Sequence, residues 1–288
     1  MKDRLIEFGY AAGWRVVRAL PLPVARKLFT VAADRAYRAN GPATQRLRAN
    51  LRQVAGPDMP DTLVRDGLRS YARYWMEAFR LPSQSRQHFL DGFFMEPDSY
   101  QQLKKAVADG RGAVLALPHL ANWDVAGAWV ASHDWPMITV AERLKPEGVF
   151  KAFLEYREKL GMKVLPLTGG ERPPLDVLGE HLEKGWVVAL LADRDLSRSG
   201  VEVKFFGGRT RMPAGPAILA IRTGAPLYAV DLWFEKNRTV SRMRRITPPV
   251  DGPLDERVKQ TTQQLADAYA AGLAEHPQDW HMLQKLWL

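Results

Sequence analysis

Residues 113–124 read Ala-Val-Leu-Ala-Leu-Pro-His-Leu-Ala-Asn-Trp-Asp. The first five form a short continuous apolar run, the pattern of a strand buried on both faces. Gly110-Arg-Gly112 turns the chain into that run, and residues 122–132 after it carry a helical pattern. A buried strand that passes through a short turn into a helix is the repeating unit of an α/β sheet.

The same alternation continues downstream. Strands are expected at 137–140, 163–167, 186–192 and 227–234, and helices at 99–109, 147–160, 173–184, 214–223 and 255–275. Residues 239–246 are expected to pair with the preceding strand as a hairpin. The fold class read from this order is α/β, with a central, mostly parallel or mixed sheet flanked by helices. No internal repeat or low-complexity segment interrupts it. The first 90 residues differ and read as helices throughout. Pro21 and Pro23 break a first helix over 5–20. Two basic helices follow at 24–39 and 43–54, and a longer one at 61–81 carries Tyr71, Tyr74, Trp75, Met76 and Phe79. A stripe of that kind is expected to be core. The 288 residues can bury a large core, so we expect one domain over 1–288, with a helical region at 1–90 and an α/β catalytic core at 91–288.

Composition narrows the function. Hydrophobic residues make up 46% and charged residues 25%, which is globular rather than disordered. There is no cysteine, so thiolate catalysis, disulfides and cysteine metal sites are excluded. Residues 1–52 hold eleven Lys or Arg and three acids, an excess of eight within a net charge of +9. Such an arm suits a polyanion. Residues 5–20 choose between polyanions, because they are apolar and aromatic with Arg15 and Arg18 interspersed. That composition favours a helix lying in an anionic membrane surface, with aromatics sunk and arginines at the headgroups, over nucleic acid. The apolar stretch is too short to span a bilayer, and no small-residue cleavage pattern follows it.

Catalytic groups in a parallel sheet gather at the carboxyl ends of its strands. His119 stands at such an end, and Asp124 lies about one turn into the next helix, in an H-x4-D arrangement. Asp124 is expected to reach one imidazole nitrogen and fix the tautomer, leaving the other to take a proton from a substrate hydroxyl. Leu190-Leu-Ala-Asp-Arg-Asp195 empties a second strand into charge at the same rim. Asp193 either completes a relay with His119, pairs locally with Arg194, or caps a helix or turn. Glu142 and Arg157 are further rim candidates, and an arginine there suits a phosphate or an oxyanion. Paired glycines and arginines in Phe205-Phe-Gly-Gly-Arg-Thr-Arg-Met-Pro213, ahead of a helix, are expected to form an anion-binding corner including Gly208 and Arg209. G-x-S-x-G, G-x-G-x-x-G, P-loop and H-E-x-x-H patterns are all absent. His276 and His281 are read as structural, and no metal site is expected.

Taken together and in order, His119-x4-Asp124, the Leu-Leu-Ala-Asp-Arg-Asp block and the Phe-Phe-Gly-Gly-x-Thr-x-Met-Pro-x-Gly block resemble the lipid A biosynthesis branch of the lysophospholipid acyltransferase superfamily. Ser70–Phe79, Ala220–Pro226 and the closing His-Pro-Gln-Asp-Trp-His-Met-Leu-Gln284 extend the likeness over the whole chain. Within that branch it is most similar to the phosphatidylinositol mannoside acyltransferases. The resemblance implies a peripheral protein on the cytoplasmic face of the plasma (inner) membrane. It implies acyl-CoA, of palmitoyl type, as co-substrate with no other cofactor, and the 6-hydroxyl of a mannose on a glycolipid as acceptor. It implies His119 as base, with Glu142 and Arg157 at charged active-site positions. At Asp193 many such relatives carry glutamate, so the relay here is one methylene shorter.

Overall fold

The computed structural model describes Gly9 and residues 13–142, 147–195 and 199–288. A helical N-terminal region comes first: α1 (13–19), α2 (Leu22–Ala39), α3 (Pro42–Ala55), α4 (Thr62–Arg80) and α5 (Arg86–Gly92). The α/β part runs β1 (Phe93–Met95), α6 (Pro97–Ala108), β2 (Ala113–Leu117), α7 (Trp123–Ala131), β3 (Met137–Ala141), α8 (Glu147–Lys159), β4 (Met162–Pro166), α9 (Pro174–Glu183) and β5 (Val187–Leu191). It then continues β6 (Val201–Phe205), β7 (Gly208–Met212), α10 (Gly215–Thr223), β8 (Leu227–Phe234), β9 (Thr239–Ile246) and α11 (Leu254–Glu275).

Seven strands form one sheet in the order β1-β9-β8-β2-β5-β3-β4. All neighbours are parallel except the β8–β9 hairpin, so the sheet is mixed as expected. All five residues of β2 are buried, because helices cover both faces and every position must be apolar. The centre of the sheet is register-locked: Ala113 lies opposite Val187 and Leu117 opposite Leu191. Gly112 permits that approach. It has φ +60°, and an added Cβ would lie 2.3 Å from the Trp186 carbonyl oxygen.

Two elements depart from the reading above. β1 is three residues long, too short for alternation to register, and it finds its place only by pairing with β9. The Phe205–Pro213 stretch is not an open corner before a helix but the antiparallel hairpin β6–β7, set apart from the main sheet. Phe206 and Gly207 form its two-residue turn with φ +46° and +75°, the left-handed pair that matches strand twist.

The N-terminal region is tied to the core by aromatic packing. Part of the expected interfacial helix, residues 5–8 and 10–12, lies outside the described residues. Its Trp14 is buried rather than turned outward. It packs against Phe79, Phe153 and Tyr156, and its indole N–H donates to the Phe79 carbonyl at 2.7 Å. Arg18 follows it inward, donating to the same carbonyl at 3.1 Å. The interior offers Trp14 both apolar area and an acceptor, which a membrane surface would supply only in part. A smaller cluster of Ala33, Leu47, Leu51, Val64 and Leu68 holds α2, α3 and α4 together.

Gly112→Ala should cost about 3 kcal/mol or more, since backbone rather than a pliable side chain blocks the new Cβ and φ is positive. Urea unfolding measures this. A loss under 1 kcal/mol would mean that β2 and β5 need no glycine to approach.

Candidate active site

β2 and β5 leave the sheet side by side. The Ala192 N–H donates to the Leu117 carbonyl at 2.8 Å, carrying the register past the last strand pair. Two residues beyond each strand, His119 and Asp193 therefore stand opposite one another. His119 Nδ1 lies 2.5 Å from Asp193 Oδ1, and the His119 backbone N–H donates to Oδ2 at 3.0 Å. Asp193 is fully buried, and the His119 side chain is 15% exposed. Burial alone raises the carboxyl's pKa, but the imidazole, the His119 backbone N–H and the Trp280 indole outweigh it and lower it. An ionised Asp193 assigns the proton to Nδ1 and leaves Nε2 as the basic nitrogen. The side chain, though one methylene shorter than glutamate, closes the contact directly.

Asp124 is not the partner of His119, contrary to the expectation above. It sits in the first turn of α7, capped by Asn122, whose side chain accepts from the Val125 N–H at 3.1 Å. From there its carboxylate turns to α8 and α4. Arg157 Nε donates to Oδ1 at 2.7 Å, and the Tyr74 hydroxyl donates to Oδ2 at 3.0 Å. Burial opposes the Arg157 charge, but Asp124 outweighs it and raises the guanidinium's pKa. Burial, then the Asp124 charge, hold the Tyr74 phenol well above its ordinary range, so it remains a donor.

Trp123 stands edge-on to the imidazole, with ring centroids 5.4 Å apart, and stacks on Tyr74 at 4.1 Å. With Asp124 and Arg157 it contributes to the lining of a cavity between α7 and the sheet, enclosing about 690 Å³ including its open mouth. The rest of that lining is mostly apolar, including Leu115, Leu117, Val130, Met137, Met162 and Leu190. Residues from all seven strands of the main sheet contribute.

The remaining candidates are placed unevenly. Glu142 and Arg194 meet at the rim, 3.8 Å apart, where β3 and β5 end. Gly208 and Arg209 lie on β7. Arg209 is largely exposed and pairs with Glu202 across the hairpin at 2.6 Å, and a Cβ on Gly208 would strike the Trp287 ring at 2.3 Å. No contact joins either to His119 among the described residues, so the structure does not bring them into the site. Their glycines and charges serve a turn and a cross-strand pair instead.

Residues from the end of the chain do enter it. The Ala121 N–H donates to the Asp279 carbonyl at 2.9 Å, and the His281 N–H to the His119 carbonyl at 2.8 Å. Burial takes the His281 pKa down to about 3, which fits its structural reading, as does its contact with Ser70 Oγ at 3.0 Å. Tyr74 and Trp280 were not singled out from the sequence as site residues. An aromatic helical stripe is ordinarily core, and Trp280 is more than 80 residues from Asp193.

Residues 1–288 match the sequence family described as bacterial lipid A biosynthesis acyltransferase. A phosphatidylinositol mannoside acyltransferase of Mycolicibacterium smegmatis is 51% identical over 288 residues, covering 99% of this chain and 92% of that protein. One of the same name from Mycobacterium tuberculosis is 47% identical over 285 residues, covering 98% and 88%.

Asp124→Asn should destabilise the fold by about 3 kcal/mol, because it strands a buried guanidinium, while the His119–Asp193 contact persists. Adding Arg157→Met should recover part of that loss. Denaturant unfolding of both variants decides it; a single mutant as stable as wild type removes Asp124 as the counter-charge.

Proposed function

The chain belongs to the bacterial lipid A biosynthesis acyltransferase family, enzymes of acyl transfer, and we propose that it moves a palmitoyl-type acyl group from acyl-CoA to the 6-hydroxyl of a mannose of phosphatidylinositol mannoside. The observation that carries the reading is the buried Asp193 against His119 Nδ1 at 2.5 Å, close to a cavity lined mostly by apolar side chains. The acceptor follows the names of the relatives. Donor and hydroxyl follow the resemblance set out above.

In this reading His119 Nε2 takes the proton of the acceptor hydroxyl as its oxygen attacks the thioester carbonyl. The new C–O bond forms and the C–S bond breaks. The departing thiolate takes the proton back from the imidazolium, which Asp193 has stabilised meanwhile. No cysteine is present and no serine stands in a nucleophile motif, so transfer is direct. Arg157, held charged by Asp124 at the cavity, is suited to the oxyanion or to an acceptor oxygen. Glu142 and Arg194 at the rim are suited to the sugar. The apolar cavity suits an extended acyl chain.

We place the enzyme on the cytoplasmic face of an anionic inner membrane, with residues 1–90 and 91–288 working as one domain. Tyr74 reaching Asp124 and Trp14 packing on α8 support the second point. For the first, the support shifts from the first helix to the outer side of α2. Val24, Leu28 and Val31 are exposed there at helical spacing, beside exposed Lys27, Arg35 and Arg38. No helix among the described residues is long and apolar enough to cross a membrane.

CoA release from palmitoyl-CoA should depend on phosphatidylinositol mannoside and fall by about 10²–10⁴-fold in His119→Ala and Asp193→Asn. Acceptor-dependent release that survives in His119→Ala removes the base assignment; release indifferent to acceptor indicates a hydrolase or another glycolipid. Replacing Lys27, Arg35 and Arg38 by alanine should weaken partition onto phosphatidylglycerol vesicles by about tenfold or more at low salt. Undiminished partition would place the membrane contact elsewhere.

A further inference from the structure

The segment that follows α11 makes three contacts with the site, and one of them bears on the reacting pair itself. The backbone contacts of Asp279 and His281 hold the loop that carries His119 from one side, with an isolated bridge between Leu120 and Trp280. Ala121 within that loop has φ +44°, a conformation that a non-glycine residue adopts only when its surroundings impose it. Between the two backbone contacts the Trp280 side chain, 0% exposed, turns inward, and its indole Nε1–H donates to Asp193 Oδ2 at 2.9 Å.

Among the described residues the carboxylate receives three donors, which divide unequally. Oδ1 faces the imidazole Nδ1, while Oδ2 takes both the His119 backbone N–H and the indole N–H. Without the indole, both remaining donors belong to His119. The hydrogen bonds that set the carboxylate plane would then come from the residue it is meant to orient. Among the described residues, Trp280 is the one donor to Asp193 that comes from a separate element. Its ring is held by Phe205 and Trp287, with centroids 6.2 and 6.1 Å away, so the donor itself has little freedom.

We infer that Trp280 is a positioning residue for acyl transfer: its indole N–H fixes the plane of the Asp193 carboxylate so that Oδ1 stays aimed at His119 Nδ1. This rests on the reading of His119 and Asp193 as the base and its partner. The C-terminal segment thereby sets the orientation of a group on the β2–α7 loop through one buried hydrogen bond.

The test replaces Trp280 with benzothienylalanine, an isostere whose sulfur takes the place of the N–H, and in parallel makes Trp280→Phe. Two readouts are taken. The first is acyl transfer with palmitoyl-CoA and phosphatidylinositol mannoside. We expect kcat to fall by about ten- to a hundredfold, the range for losing a donor to a buried charge, with KM for both substrates within about twofold. The second is independent of turnover: the downfield Nδ1 proton resonance of His119, identified by its loss in His119→Ala. It should shift or broaden in the isostere, whose melting temperature stays near that of wild type. An isostere with wild-type kcat and an unmoved resonance would overturn the inference and leave Trp280 a packing residue. A parallel rise in KM with unchanged kcat would overturn it as well. If wild type shows no acceptor-dependent transfer, the substrate reading fails, and the resonance still decides the role of Trp280.

Discussion

Where β2 and β5 leave the sheet, the backbone hydrogen bond between Ala192 and Leu117 keeps the two chains level past their last paired residues. Each then supplies a side chain two residues on, and these meet as His119 and Asp193. A slip of one residue between the strands would turn one of the two side chains to the opposite face. The constraint reaches backward through five opposed pairs to Gly112, whose missing Cβ lets the strands start close together. It reaches outward too, because all five β2 side chains are buried and the register cannot shift without breaking the core.

Two buried carboxylates beside the site show how environment divides labour between like groups. Asp193 is surrounded by an imidazole, an indole N–H and a backbone N–H, which hold it ionised against burial. Asp124, also buried, spends its oxygens on a guanidinium and a phenol. The first arrangement engages one imidazole nitrogen and leaves the other outside the carboxylate contact. The second fixes a cation at the cavity wall. The buried ion pair contributes placement more than stability, because desolvation offsets much of its attraction.

Among the helices of the N-terminal region, α4 carries side chains to the site. One side of α4 carries Tyr74 and Trp75 toward Asp124, Trp123 and α8. Another carries Arg69 to Asp34 on α2 at 2.7 Å and Ser70 to Asp279 at 2.6 Å. α2 and the His119–Asp193 pair beside α7 are therefore linked through α4.

The sequence by itself determined the order of strands and helices, because buried parallel strands need unbroken apolar runs such as 113–117 and 186–192, and these stand out. It determined that His119 lies at a strand end, and it placed the basic excess in the first 52 residues. Local rules could not read β1, which is too short, or the turn at Phe206-Gly207, whose glycines also suit an anion site. Nor could they choose the partner of His119. Asp124 is five residues away and Asp193 seventy-four, and proximity along the chain favoured the wrong one. Only the tertiary structure decides that, because in-register pairing of β2 with β5 makes Asp193 a neighbour. The pitch of α7 meanwhile turns Asp124 away to Arg157, and folding back of the chain after α11 brings Trp280 against the carboxylate.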